Sequence, residues 1–157
     1  MLDIYTVSFF GHREINAVRE IENKLEILIH KLITEHEYVE FLIGRNGEFD
    51  QLVSSVIHRV RKRLDYKNCS LTLVLPYMTA EFRDNESSFY DYYDEIEISQ
   101  SASSGHFKSA MHTRNKEMVD RSDLIVFYVE RQSGGAYTTM KYAAKNEKEI
   151  INVSNAF

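Results

Sequence analysis

Five short apolar runs constrain what this chain can fold into. Ile4 to Phe10, Val39 to Ile43, Leu71 to Leu75, Leu124 to Val129 and Ile150 to Val153 are rich in β-branched and aromatic residues, as buried parallel strands are. After the first run, Gly11, His12 and Arg13 break the pattern, and Ile15, Val18, Leu25, Leu28, Ile29 and Leu32 then recur at helical spacing. After the second, Leu52, Val53, Val56, Ile57, Val60 and Leu64 do the same. Pro76, the only proline, stops the third run. A fourth helical segment, Tyr137 to Asn146, joins the last two runs. Strands alternating with helices predict an α/β chain, a three-layer Rossmann-like fold with a mostly parallel central sheet flanked by helices.

The 157 residues, 43% of them hydrophobic, suit one domain over 1–157, and no repeat, linker or low-complexity tract divides them. Cys69 is the single cysteine, which excludes an internal disulfide and reads as a small core residue. The first residues run into a strand without a basic flank or apolar leader, so the expected location is cytoplasmic. No apolar stretch approaches the roughly twenty residues a membrane helix needs, and no membrane partner is expected. A net charge of -5 argues against nucleic acid as a partner. The basic run Arg59, Arg61, Lys62 and Arg63 reads as a solvated helix end that complements the dipole. The histidines lack metal-ligand spacing: His30 and His36, like His106 and His112, are six apart, so no metal site is expected.

Between Tyr77 and Gly105 the pattern loosens into acids interleaved with Phe82, Phe89, Tyr90, Tyr92 and Tyr93, and only Glu95 to Ser99 resembles a strand. A segment of that length is either a lid over a ligand or a cover for a sheet edge. Helical spacing returns at His106, with Phe107, Ala110, Met111 and Met118 on the inward stripe and Arg114 among them. An arginine on an apolar face requires an anionic partner, whether a ligand phosphate, Asp50 or Asp123.

Loops at the carboxyl ends of parallel strands share one rim, where open α/β sheets bind ligands. Three such loops supply Gly11, His12 and Arg13; Gly44, Arg45, Gly47 and Asp50; and Gly134, Gly135 and Thr138. Glycines admit a ligand close to the backbone, arginines and helix amides suit phosphate, and an aspartate suits a ribose hydroxyl or an amine. Together they predict a nucleotide-type ligand, with no other cofactor. His12 borders the site and is a candidate acid or base. Walker, Gly-x-Gly-x-x-Gly and Gly-x-Ser-x-Gly motifs do not occur, which removes P-loop ATPase, dinucleotide dehydrogenase and serine hydrolase chemistry.

In order along the chain, Phe10-Gly-His-Arg13, Gly44-x-x-Gly-x-Phe-Asp50, Arg114-Asn115 with Met118-Val-Asp120, Ser122-Asp123, and Gly134-Gly135-x-x-Thr138 with Tyr142-Ala143 are similar to the SLOG superfamily. This Rossmann-like group contains the DprA/Smf DNA-processing proteins and the LOG phosphoribohydrolases, and the chain most resembles its short bacterial YpsA-like branch. The resemblance implies a pocket for a nucleotide or nucleotide derivative at the Gly-Gly helix, with Arg114 and Asn115 beside it, and a homodimer. LOG enzymes carry Pro-Gly-Gly-x-Gly-Thr-x-x-Glu, where this chain has Ser133-Gly-Gly-Ala-Tyr137-Thr-Thr-Met-Lys141. A charged lysine cannot accept the proton that the glutamate would, so binding survives this change better than N-glycosidic cleavage does. The expected function is therefore nucleotide-ligand binding, as a sensor or ligand-binding protein. The alternatives are a nucleotide N-glycosidase using Glu48 or Asp50, and a DprA-like DNA-associated module.

Overall fold

The computed structural model describes residues 2–65, 68–99 and 106–154. Six strands form one sheet, β1 (Ile4–Gly11), β2 (Tyr38–Ile43), β3 (Cys69–Leu75), β4 (Glu95–Ile98), β5 (Leu124–Tyr128) and β6 (Glu149–Asn152). Their spatial order is β4-β3-β2-β1-β5-β6 and every pairing is parallel. The helices are α1 (Val18–Glu35), α2 (Glu48–Leu64), α3 (Ala80–Asp84), α4 (Glu86–Tyr92), α5 (Phe107–Asp120) and α6 (Gly135–Lys145). The Rossmann-like α/β architecture expected from the alternation is the one observed. The expected last strand lies within the described residues, whereas residues 100–105 of the loosely patterned segment fall outside them.

Alternation along each strand gives the sheet two apolar faces. Val7, Phe9, Phe41, Leu71 and Leu73 face α1 and α2, meeting Leu25, Ile29, Val53 and Ile57. Phe10, Leu42, Val74, Ile125 and Phe127 face α5 and α6, meeting Met118, Val119 and Ala143. On the second face a polar brace closes the start of β5. The Ser122 hydroxyl donates to the Met118 carbonyl at 2.7 Å and lies 2.6 Å from the Ser8 hydroxyl. Asp123 accepts from the Thr6 amide at 2.9 Å, which fixes the β1–β5 register and leaves it no role with Arg114.

Two positions expected on inward stripes point outward. Val18 is 47% exposed and Phe107 is 56% exposed, because each stands in the first turn of its helix, at the margin of the sheet. Ile15 precedes α1 rather than belonging to it. The loosely patterned segment is also more regular than its sequence suggests, for it holds α3 and α4 before β4. Phe82, Phe89 and Tyr93 are buried in the same core as α2 and β3. The segment therefore covers the sheet edge. Its short helices escaped the pattern because only one residue per helix is fully inward, too few to mark a period.

Since Phe82 is core rather than lid, Phe82→Ala is expected to destabilise the chain by about 3–5 kcal/mol, measured by urea unfolding. A loss below about 1 kcal/mol would mark the segment as separable from the core.

Candidate functional site

Strand order reverses between β1 and β5. The chain leaves β1 toward α1 on one face and leaves β5 toward α6 on the other, so the two loops diverge and open a crevice. A cleft of about 280 Å³ lies there. It draws residues from all three expected loops and from α5. Gly11, His12, Arg13, Gly44, Asp50, Arg114, Asn115, Gly134 and Gly135 line it, together with Asn46 and Arg131, which sequence reading missed.

Close packing sets the walls. A Cβ at Gly11 would overlap the Phe49 ring, so β1 can run hard against the first turn of α2 only with glycine there. Gly47 has a similar duty, since a Cβ would stand 2.6 Å from the Arg13 Cα. Its place is under the first loop rather than in the cleft. Glu48 also belongs to the scaffold: its carboxylate accepts from the Ile15 amide at 2.8 Å, and its own amide donates to the Arg13 carbonyl at 2.8 Å. Neither Gly47 nor Glu48 lines the cleft.

His12 is 4% exposed, and its Nε2 accepts from the Glu130 amide at 3.0 Å. That bond leaves the ring's proton on Nδ1 and makes the imidazole neutral. Burial lowers its pKa below the ordinary histidine value, and Arg131 adds to the effect while Glu130 opposes it. In this arrangement Nδ1–H is the ring's donor and Nε2 is occupied as an acceptor. The same junction is tied by the Tyr128 hydroxyl, which accepts from the Asn16 amide at 2.9 Å.

The floor is electrostatically unusual. Arg114 is 2% exposed, yet no carboxylate lies within ion-pairing distance among the described residues. Its Nη1 donates to the Val74 carbonyl and its Nε to the Asn115 Oδ1, both at 3.0 Å, and Nη2 makes no hydrogen bond among the described residues. Burial draws its pKa down, and the field of Asp50, then of Tyr77, opposes that shift. Asp50 accepts from the Asn46 amide at 2.9 Å. Burial pushes its pKa up to about 6, against the pull of that hydrogen bond and of Arg114. Gly44 lies between the two charges, for a Cβ would meet Arg114 Nη1 at 3.0 Å and Asp50 Oδ2 at 3.2 Å. Asn115 bridges the floor to α6 through the Thr139 hydroxyl at 3.2 Å.

The two helices that open onto the cleft differ in charge. The first turn of α2 carries Glu48 and Asp50, which satisfy its positive end internally. The first turn of α6 has no acid and no side-chain cap. Gly134 has φ 92°, a conformation suited to glycine, and a Cβ at Gly135 would meet nothing within 4 Å. Open space faces those amides. Thr138, expected to donate into the site, instead donates to the Gly134 carbonyl at 3.1 Å and does not line the cleft.

Arg45 departs most from expectation. It turns away from the cleft, donates to Glu81 at 2.9 Å and to the Tyr93 hydroxyl at 3.0 Å, and lies 4.8 Å from the Phe89 ring centre. The basic run on α2 is likewise engaged: Arg59 and Arg63 pair with Glu26, and Arg61 with Asp94. Arg131 was missed because nothing but its place three residues after β5 signals it, and Asn46 because it is a polar residue between two glycines.

No protein-family model matches the chain, and no curated protein is significantly similar to it. No helix among the described residues is long and apolar enough to cross a membrane.

Asp50 generates a pH prediction. Its folded pKa, about 6, lies above the ordinary unfolded value of about 3.9. Its contribution is thus full below about pH 4 and lost as pH rises through about 6, at up to about 3 kcal/mol. In Asp50→Asn this loss disappears. The variant's stability relative to the parent, read from urea unfolding between pH 4 and 8, should rise with pH and level off above about 7. A flat difference would show that Asp50 ionises as freely in the folded chain as in the unfolded one.

Proposed function

We propose that the cleft binds the phosphate-bearing end of a nucleotide or nucleotide-derived ligand, and that the protein acts as a sensor or ligand-binding protein. The observation that carries this reading is Arg114, a buried guanidinium that has one terminal nitrogen unbonded and no ion-pair partner among the described residues, at the floor of an open cleft. Holding such a charge without a partner costs several kcal/mol in typical cases, and an anion delivered through the cleft supplies the missing one. The uncapped first turn of α6 opens onto the same space, with Arg13 and Arg131 on the walls. Similarity of the loop motifs to the SLOG superfamily supports the same ligand class.

A second reading, cleavage of a nucleotide N-glycosidic bond, draws on Asp50. A carboxyl that titrates near 6 at the floor of a cleft is suited to acid or base work. Lys141, at the position of the LOG glutamate, does not line the cleft, and its ammonium lies 5.1 Å from the Tyr137 ring centre. Free base detected by chromatography after incubation with nucleoside monophosphates would favour this reading, and Asp50→Asn would abolish its release.

Thermal unfolding against nucleotides, cyclic dinucleotides, NAD and ADP-ribose tests the binding reading. Ligand at about a hundredfold over Kd stabilises by roughly 2.7 kcal/mol, a shift on the order of 5–10 °C for a chain of this size. In Gly135→Asp the new side chain enters open space and its charge complements the helix end, so the unliganded Tm should hold or rise slightly. Affinity for the anionic ligand should fall at least tenfold. Undiminished affinity in that variant, or no shift with any ligand, would overturn the reading.

A further inference from the structure

The loop after β2 faces two ways. Gly44 and Asn46 line the cleft described above, whereas Arg45, between them, lines a second cleft of about 440 Å³ with Glu81, Phe89, Tyr92 and Tyr93. We propose that this second cleft is a binding site for an uncharged planar nitrogen heterocycle of the nucleobase type, stacked against Tyr92 and the Arg45 guanidinium and hydrogen-bonded to the Glu81 carboxylate. The site is distinct from the phosphate-binding floor and does not depend on it.

Arg45 is already immobilised. Its Nε donates to Glu81 Oε1 at 2.9 Å, its Nη1 donates to the Tyr93 hydroxyl at 3.0 Å, and its guanidinium carbon lies 4.8 Å from the Phe89 ring centre. The side chain is nonetheless 32% exposed. A delocalised cation held in one place against aromatic rings, with surface still open to the cleft, is a stacking partner for a planar π system and pays little entropy on binding. Tyr92 extends the wall: its ring stands at 81° to that of Tyr93, with centres 4.9 Å apart, and it is 38% exposed. Phe89 and Tyr93 behind them are buried and fix the wall to the core.

The charge balance selects the ligand. Glu81 already neutralises Arg45, so this cleft has no net positive charge with which to hold a phosphate. The Glu81 carboxylate is 58% exposed and keeps lone pairs beyond those that Arg45 uses, and it accepts only. Its partners must be donors such as an exocyclic amine or a ring N–H. Aromatic walls beside an acceptor describe the edge and faces of an amino-bearing base.

Adenosine, which has the base but no phosphate, is the probe, and equilibrium dialysis of the full chain is the measurement. Saturable binding is expected, weakened at least tenfold in both Tyr92→Ala and Glu81→Gln and retained in Tyr92→Phe, which keeps the ring. Both positions are exposed enough to substitute without opening the core, and thermal melts confirm folding of each variant. Absence of saturable binding, or unchanged affinity in either Tyr92→Ala or Glu81→Gln, overturns the proposal. Retention of inorganic pyrophosphate reads the first cleft separately, so failure of one site is distinguished from failure of the other.

Discussion

Because β1 pairs in parallel with β2 on one side and β5 on the other, the chain must build outward in one direction and later return to the opposite flank. Right-handed crossovers then place α1 and α2 on one face and α5 and α6 on the other. The crevice between the β1 and β5 loops is a consequence of that reversal, whatever side chains occupy it. What the sequence adds is close approach: glycine at position 11 brings the exit of β1 against Phe49, and the Glu48 amide and carboxylate pin the loop to the start of α2. These contacts tie the walls to the scaffold, and preorganisation of that kind would lower the ordering cost of binding.

Charge follows the same geometry. Both α2 and α6 present their positive ends to the rim, but α2 spends its own on Asp50 and Glu48. Asp50 in turn is held by Asn46 and stays beyond ion-pairing distance of Arg114, so neither buried charge is fully compensated. An anion at Arg114 would add a second negative charge beside Asp50 and favour protonation of that carboxyl. If the proposed ligand binds there, occupancy and proton uptake at the floor would be coupled.

Strands and long helices were legible in the sequence because each repeats a period several times. The strand runs match the observed strands to within two residues, and the inward faces of α1 and α2 differ from expectation at Ile15, which precedes α1, at Val18 and at the partly buried flanks. The rim residues were legible for a different reason: parallel strands send every carboxyl-end loop to one side, so position after a strand suffices. Position does not give direction, however. Arg45 and Asn46 are neighbours in the same loop and face different clefts, and only the packing of Phe89 and Tyr93 decides which is which. The α3 and α4 helices were illegible because each buries a single aromatic ring.

The segment that hides those two helices also explains where Arg45 goes. Phe82 and Phe89 pack with ring centres 5.3 Å apart and dock on the core beside α2, which brings Glu81 to the edge of the β2 loop. A long cation emerging there meets a carboxylate and a phenol before it reaches the cleft. Three features that looked independent in sequence, an arginine after a strand, an acidic stretch and a cluster of tyrosines, are therefore one interaction. It takes a positive charge away from the first cleft, where, among the described residues, Arg114 is the cation at the floor and Arg13 and Arg131 stand on the walls. Under the proposed binding reading, an anion would meet the Arg114 guanidinium in depth and the start of α6 at the rim, between Arg13 and Arg131 on the walls.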